Sequence, residues 1–470
     1  MTPVAETTVA PSEAPALRHV LAVVCLLLVL TATALLLRVA YLQQTKIDRP
    51  IRADARQYYH YGWNLWRHRT FSPTSPEEHP VPDSNRSPGY PLLIAAALWI
   101  GGEQNYYEIV RYAQAVIGAL MVPATFLLGR TFLPRWAALA AAALVALSPH
   151  LVSMCSYLLT ETLFGLLLLT CFLVLGVGIR RKSVAILGGA GICFGGAYLV
   201  NQTAGMLPII FAGALALGGR FAEDRRRYPP MRGLALFLIV FSVFPAAWMV
   251  RDYAVLQPDA RRGSDRLLKT MSHGTYPGFV FKDPKWRYFP YRDDPEQPKF
   301  GESMDDFARV FWPRFRERPG RYLRWYLLEK PYVLWTWNIL QGQGDVYVYP
   351  VHYSLYDRNA LAGLTHGAMK RAHAVVLVFT LLAFIAYLWQ GWTSRRGTHH
   401  RVEAPGLLLL TLAAYSIFYA IVAPWPRYAV PLRPQLYLCA VWGLVTLLQA
   451  THLLRPFGPD PPVDERASAQ

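Results

Sequence analysis

Apolar runs of about 20 residues recur along the whole chain, and they constrain its fold more than any other feature. The runs extend from "VLAVVCLLLVLTATALLLRVAYL" near the N-terminus to "LYLCAVWGLVTLLQATHLL" near the C-terminus. About 20 helical residues match the thickness of the hydrocarbon core of a bilayer, and a helix satisfies its own backbone polar groups there. Only 16% of the 470 residues are charged, whereas 53% are hydrophobic. The sequence therefore predicts an all-α polytopic membrane protein.

One apolar run is too short to cross and decides the topology. Gly89–Gly102 follows the polar stretch "SNRSP", and its roughly 14 residues rise only about 21 Å as a helix, against a core of about 30 Å. If it crosses, every later loop changes sides. Ten longer runs are predicted to span, at about 19–42, 108–130, 136–153, 158–179, 183–200, 203–219, 232–250, 372–392, 405–423 and 430–453.

The basic loops favour a short run that does not cross. With the N-terminus inside, a non-crossing run places every dense arginine cluster of a short loop on the cytoplasmic side, as the positive-inside rule requires. A crossing run would move "RRK" and "DRRR" outside. We therefore predict that Gly89–Gly102 is a re-entrant or interfacial helix of the outer leaflet, with both termini cytoplasmic. The clusters lie at Arg130–Arg135, Arg180–Lys182, Arg220–Arg232 and Thr393–Arg401.

This topology divides the chain into membrane, external and tail segments. The external segments are rich in Trp, Tyr and Arg, which is typical of interfacial helices, and Phe307, Val310, Phe311 and Phe315 have helical spacing. The predicted parts are a disordered cytoplasmic tail at 1–18, a membrane domain at 19–250 that includes an external segment at 43–107, a large external segment at 251–371, C-terminal membrane helices at 372–454 and a cytoplasmic tail at 455–470.

Composition excludes several function classes. The net charge of +17 does not indicate nucleic-acid binding, because the basic residues cluster beside apolar runs as membrane anchors. The five cysteines form no C-x-x-C pair, so neither a disulfide framework nor a zinc site is predicted. No D-x-D pair or dense carboxylate cluster indicates Mg²⁺ or Mn²⁺, and we expect no metal or other cofactor.

Three ionisable residues lie at the external ends of the early helices. Asp54 begins an aromatic stretch directly after the first span, where it is either catalytic or an N-cap that forms a capping box with Gln57. Arg86 precedes the short run, where it could also snorkel to the headgroups. Glu161 begins a span, a costly position that is usually functional, although a place at the water boundary is the simpler alternative.

Further polar residues interrupt later helices on the same side. They occur in "YLVNQTAG" with Asn201, "WMVRDYAV" with Arg251 and "APWPRYAVPLRP" with Arg427 and Tyr428. Acids and bases thus converge at the depth of a phosphate headgroup, and the midplane lacks the ionisable groups of a proton-coupled transporter. This pattern indicates a site for a lipid-linked anion.

The order of these motifs resembles that of a known enzyme family. An Asp-bearing aromatic helix is followed by a basic residue before "PGYPLL", then by "LLTETLF", "GGAYLVNQTAGMLPIIF" and "PRYAVPLRPQLYL". Nearly the whole chain, apart from the second external segment, is in this way similar to the GT-C membrane glycosyltransferases, in particular the protein O-mannosyltransferase and lipid A aminoarabinose transferase group. The resemblance implies a GT-C-like fold, a polyprenyl-phosphate sugar donor and inverting transfer to an acceptor protein, lipid or glycan on the extracytoplasmic side of the plasma membrane.

The resemblance also implies roles for individual residues. Asp54 is expected to be the general base, Glu161 the second catalytic acid and Arg86 a ligand of the donor phosphate. Asn201 departs from the family, in which Lys or Arg is common at this position, and Arg251 or Arg427 is expected to replace that phosphate contact. The residues expected to line the substrate site are Tyr58, Tyr59, Asn201 and Tyr428.

Other function classes remain open at this point. A polysaccharide polymerase or ligase of the O-antigen type is also polytopic and uses arginines on lipid-linked glycans, but its site is expected in the late external loop. Inverted repeats and broken midplane helices would indicate a transporter of lipid-linked glycans, and the sequence shows neither. A non-enzymatic scaffold would leave the one-sided clustering of acids and bases unexplained. The expected partners are the lipid-linked donor, the acceptor and membrane lipids, without nucleic acid.

Overall fold

The computed structural model describes residues 14–221, 228–257, 265–300, 303–394 and 403–454, and these residues are mainly helical. The α-helices are α1 Ala14–Gln44, α2 Ala53–His68, α3 Gly89–Gly129, α4 Arg135–Leu147, α5 Pro149–Ser153, α6 Glu161–Arg181, α7 Val184–Val200, α8 Met206–Phe221, α9 Met231–Val255, α10 Asp265–Gly274, α11 Met304–Glu317, α12 Pro319–Arg324, α13 Lys330–Leu334, α14 Leu355–Arg358, α15 Ala360–Ser394, α16 Glu403–Ile421 and α17 Arg433–Ala450. The two strands are β1 Lys46–Ile47 and β2 Val351–Tyr353. Most of residues 1–18 and all of 455–470, predicted as tails, lie outside the described residues.

Among the described residues, seven helices are long and apolar enough to cross a membrane. The pair Arg135–Leu147 and Pro149–Ser156, bent by 47°, makes an eighth if it is one span. The predicted class of a helical polytopic membrane protein is thereby confirmed, and seven or eight of the ten predicted spans qualify by length and composition.

Two of the predicted spans account for the difference. Val184–Val200 is an apolar helix of 17 residues, which rises about 26 Å and is shorter than a typical hydrocarbon core. The helix Arg433–Ala450 begins with Arg433 and Gln435, both buried. Most of its side chains are buried against other helices, so it is a central helix of the bundle.

The short apolar run forms its own helix, as the sequence predicts. Gly102 has φ +64° and ψ −171°, which interrupts α3 between Gly89–Gly101 and the longer stretch that ends at Gly129. A glycine is suited to this break because the left-handed region carries no steric penalty without a Cβ. Trp99 and Ile100 are 80% and 69% exposed on the short helix, so its end faces away from the protein core.

The bundle is built around α3, α4, α6 and α17. Helix α3 packs on α1, α4 and α6, while α17 packs on α4 and α15, and α7 packs between α6 and α9. At the bend after α4, the fully buried Arg38 on α1 donates to the carbonyl oxygens of Val145 at 3.4 Å and Ala146 at 3.3 Å. The cation thus binds carbonyl groups that lack helical partners at the end of α4.

The external segments fold back on the bundle. Strands β1 and β2 pair antiparallel with a register irregularity, which joins the end of α1 to the chain just before α14. The predicted amphipathic helix is α11, in which Phe307 and Val310 are buried against Leu268 and Phe300. The apolar face of α11 therefore packs partly within its own segment.

Candidate active site

Asp54 lies in the first turn of α2, the helix that follows the first span. The aromatic side chains of this helix, including Tyr58, are partly buried against α3, which fixes its orientation. Arg52 occupies the N-cap position, and no side chain caps the helix. The capping-box alternative for Asp54 and Gln57 is therefore wrong, and both side chains have other partners.

The carboxylate of Asp54 bridges two arginines that are distant in sequence. Its Oδ1 accepts from Arg86 Nη2 at 2.6 Å, and its Oδ2 accepts from Arg427 Nη2 at 2.6 Å. Arg86 also donates from Nε to Gln57 Oε1 at 3.0 Å. Charge-assisted bonds of this length are among the stronger ones in proteins, so the three charges hold one another in place.

Glu161 extends this network on the buried side. Its Oε1 lies 2.9 Å from Arg427 Nε, and the side chains of Arg427 and Glu161 are only 8% and 6% exposed. Glu161 is the first residue of α6, where the helix dipole favours a carboxylate. Its other oxygen, Oε2, is buried without a hydrogen-bond partner in the structure.

The resulting network contains two carboxylates and two guanidinium groups. Asp54 has the most exposed side chain of the four, at 30%. Its partial burial alone would raise its pKa, but the attraction of Arg427 and Arg86, reinforced by their hydrogen bonds, lowers the pKa below its ordinary value. Asp54 is therefore an ionised carboxylate at neutral pH that is accessible to a second molecule.

Aromatic rings support the two arginines. The Arg86 guanidinium lies 5.0 Å from the ring centre of Tyr58, and that of Arg427 lies 5.5 Å from Tyr428. Cation–π contacts of this kind restrict an arginine without neutralising its charge. Tyr59 points elsewhere and stacks on Tyr106 at 5.0 Å. The structure thus places Tyr58 and Tyr428 beside the network and Tyr59 outside it.

Two other predicted residues have partners outside the network. Arg251 donates to Asp252 Oδ1 at 2.7 Å and to the Asp83 carbonyl at 2.9 Å. Asn201 accepts from the backbone N–H of Thr203 at 3.1 Å and thereby caps a short 3-10 helix. Neither contacts Asp54, Arg86, Glu161 or Arg427 in the structure.

The network also bears on whether the short apolar helix crosses. Because Asp54 and Glu161 both bind Arg427, they lie on the same side of the bilayer, so an even number of spans separates them. Gly89–Gly129 counts as one candidate span, and the bent pair after it counts as a second if it is one span. No crossing then remains for Gly89–Gly101, which supports the non-crossing prediction.

The network of Asp54, Arg86, Glu161 and Arg427 contains two cationic side chains. Across the part of the chain that the structure describes, no group of three or more His, Cys, Asp or Glu side chains is placed to hold a metal ion. Arg86 and Arg427 are therefore the groups in the network that can bind an anion.

One segment of the chain, which includes part of this site, is similar to a known family. Residues 80–248 match the family model described as dolichyl-phosphate-mannose-protein mannosyltransferase. Over this segment the chain is similar to that family. The matched residues include Arg86 and Glu161, whereas Asp54 and Arg427 lie outside them. This match confirms the resemblance that the sequence motifs indicate.

The fold of this chain is similar to that of solved oligosaccharyltransferase structures. The archaeal oligosaccharyltransferase AglB from Archaeoglobus fulgidus, in complex with an inhibitory peptide and a dolichol-phosphate, matches with a TM-score of 0.51 and 13% identity over 95% of this chain and 53% of that one. Its apo form gives 0.50 and 14% over 92% and 51%. The chain thus spans about half the length of these proteins, and the likeness shows the GT-C fold.

A second kind of GT-C structure gives a weaker match. ArnT from Cupriavidus metallidurans, bound to undecaprenyl phosphate, has a TM-score of 0.39 and 13% identity over 93% of this chain and 81% of that one. A score this low supports no argument. No curated protein matches the chain significantly.

Proposed function

We propose that this protein is an inverting glycosyltransferase that moves a sugar from a polyprenyl-phosphate donor to an acceptor hydroxyl. The proposal rests chiefly on the partly exposed carboxylate of Asp54, held between Arg86 and Arg427. The family match and the GT-C fold supply the donor class. AglB has been solved with a dolichol-phosphate, which agrees with a lipid phosphate as the donor's leaving group.

The chemistry assigns one role to each charged group. The acceptor oxygen forms a bond to the anomeric carbon of the sugar while the bond from that carbon to the phosphate oxygen breaks. The acceptor's proton passes to the Asp54 carboxylate, and the lipid phosphate leaves with the bonding electron pair. A single displacement of this kind inverts the anomeric configuration. Arg86 and Arg427 stabilise the charge that grows on the phosphate.

Donor binding changes the environment of Asp54. A phosphate that binds Arg86 and Arg427 competes with Asp54 for their N–H groups. The carboxylate then loses part of the attraction that lowers its pKa, so it becomes a stronger base when the donor is present. Glu161 keeps Arg427 oriented during this exchange, because its contact lies on the buried side of the guanidinium.

The proposed reaction takes place on the extracytoplasmic side. The support is the distribution of basic loops, since the network lies on the side opposite to the arginine-rich connections. The position of the network also disfavours a polymerase or ligase of the O-antigen type, because Asp54 and Arg427 flank the first and last spans of the bundle rather than the late external loop.

Loss of Arg86 should weaken use of the donor. We expect Arg86→Ala to raise the KM for a polyprenyl-phosphate sugar by about 10- to 100-fold, since a hydrogen bond to a charged group contributes about 1.5–3 kcal/mol. Steady-state kinetics over a donor titration in detergent measure this. Arg56→Ala, at an exposed position of α2, is the matched control and should leave KM unchanged. Equal donor KM values for Arg86→Ala and the unmodified protein would exclude Arg86 from the donor site.

The pH profile should report the ion pairs of Asp54. The proton acceptor must be ionised, and Arg427 and Arg86 lower its pKa in the free protein. We therefore expect kcat/KM, which reports the free protein, to have no acid limb above about pH 5, the upper part of the ordinary aspartate range. The acid limb of kcat should lie at higher pH, because the bound phosphate engages both arginines. If the acid limb of kcat lay at the same pH as that of kcat/KM, or at a lower pH, the phosphate would not displace Asp54 from the arginines as proposed.

A further inference from the structure

Lys330 in the large external segment has a buried amine that lies against the chain leading to Arg427. Its side chain is fully buried, and its Nζ donates to the carbonyl oxygens of Ala420 and Val422, both at 2.8 Å, with Ile421 O at 3.4 Å. These carbonyls are at the end of α16, where helical partners are missing. An ammonium group has three N–H donors, which matches three acceptors.

Two opposing effects act on the charge of Lys330. Burial lowers its pKa to about 6, whereas the carbonyl groups at the negative end of α16 stabilise the ammonium form. The ring of Tyr326, with its centre 3.7 Å from Nζ, adds a cation–π contact. Gly274 completes the packing: a Cβ there would lie 2.5 Å from Val422 O and 2.9 Å from Lys330 Nζ. The three segments therefore meet at a point with no room for another side chain.

A second contact fixes the same stretch a few residues further on. Trp425, two residues before Arg427, stacks on Phe279 with ring centres 4.2 Å apart. Phe279 in turn packs edge-on against Trp325, whose Nε1 donates to the Gly274 carbonyl at 2.8 Å. The stretch from 422 to 427 is thus held at its start by hydrogen bonds and at Trp425 by packing.

The same segment also holds the other side of the network. The hydroxyl of Tyr349 donates to the Arg52 carbonyl at 2.9 Å and lies 3.4 Å from the N–H of Ala55. Arg52 lies two positions before Asp54, and Ala55 lies one position after it. The large external segment therefore contacts the backbone on both sides of the Asp54–Arg427 pair.

We infer that Lys330 is a positioning residue that orients Arg427 toward Asp54 and Glu161 by fixing the last carbonyls of α16. The expected consequence, a loss of donor binding when Lys330 is removed, rests on the proposed function. A displacement of the guanidinium by about 1 Å suffices for a large effect at a site of this kind.

The first test does not require activity. Lys330→Met keeps the length of the side chain and removes its donors. Hydrogen–deuterium exchange in detergent should become faster in residues 422–432 and stay unchanged in residues 160–181. Lys299→Met, at an exposed lysine of the same segment, is the control and should change neither. Unchanged exchange in 422–432 for Lys330→Met would overturn the inference, even if the protein transferred no sugar.

The second test asks whether Lys330 acts through Arg427. Binding of undecaprenyl phosphate should weaken by about 10- to 100-fold in Lys330→Met, be partly restored in Lys330→Arg, and show no further loss when Lys330→Met is added to Arg427→Ala. An additive loss in the double variant would overturn the inference in favour of a general structural role. If Lys330→Met fails to fold, Gly274→Ala perturbs the same contact and should accelerate exchange in the same residues. Absence of donor turnover by the unmodified protein would refute the proposed function alone.

Discussion

Asp54→Asn is expected to lower the rate of sugar transfer by about 100-fold or more, the range for loss of a general base. Asparagine has nearly the same shape and still accepts a hydrogen bond through its carbonyl oxygen, but it cannot take the acceptor's proton. The measurement is the turnover number at saturating donor and acceptor. Because the carboxylate is partly exposed, its replacement should leave the helical fold unchanged by circular dichroism.

A neighbouring aspartate provides the matched control for this variant. Asp48 lies six residues earlier in the same external segment, with its carboxylate 3.8 Å from His352 and outside the arginine network. Asp48→Asn should transfer sugar at the normal rate. If Asp54→Asn did so too, Asp54 would be a structural partner of the arginines and another group would have to accept the proton.

Arg427→Leu is expected to have the largest effect on stability as well as on activity. It leaves Glu161 as a buried, unpaired carboxylate, and breaking a buried pair costs about 3–5 kcal/mol of the free energy of unfolding. It also removes one of the two phosphate ligands, so donor-dependent turnover should be lost. Thermal or denaturant unfolding in detergent measures the first effect, and donor consumption measures the second.

A second substitution separates these two effects. In Arg427→Leu combined with Glu161→Gln, no buried charge is left unpaired, so most of the stability should return while activity stays absent. Arg324→Leu is the control, because it breaks a 2.7 Å pair with Glu329 in which Arg324 is 73% exposed. That pair should contribute less than about 1 kcal/mol. Equal instability of the single and double Arg427 variants would show that Glu161 is not its charge partner.

The sequence was informative about which charges meet, because a membrane reduces the possible arrangements. The basic loops determine which end of each helix is external, and residues at the external ends must then lie near one surface of the membrane. Asp54, Arg86 and Glu161 could therefore be placed near one another before any distance was known. That reasoning could not rank Arg427 above Arg251, since both follow a span at the same depth. The neighbouring Asp252, which takes the Arg251 guanidinium in the structure, was the available local signal.

Other features depend on contacts that no local pattern records. Tyr58 and Tyr59 are adjacent on one helix, so their side chains are about 100° apart and cannot both face the site. Which one does so follows from how α2 packs on α3. Lys330 could not be recognised from its sequence context either, since its partners are backbone carbonyls about 90 positions away. Gln57 was assigned to a cap, although its amide oxygen binds Arg86.

Hydropathy does not distinguish a helix that faces lipid from one that faces other helices. The helix Arg433–Ala450 is apolar over most of its length, yet its surface is covered by other helices. In contrast, only 6% of the most apolar window of Val20–Gln44 is buried in the structure. Their packing in the structure makes the first a central helix of the bundle and the second a peripheral one.

Consumption of purified polyprenyl-phosphate sugars by the full-length protein in detergent tests the central claim most directly. With a panel of donors and a hydroxyl acceptor, the account predicts release of free polyprenyl phosphate from at least one donor, dependent on Asp54 and with inverted configuration in the product. No release from any donor, or retained configuration at the transferred sugar, would contradict it.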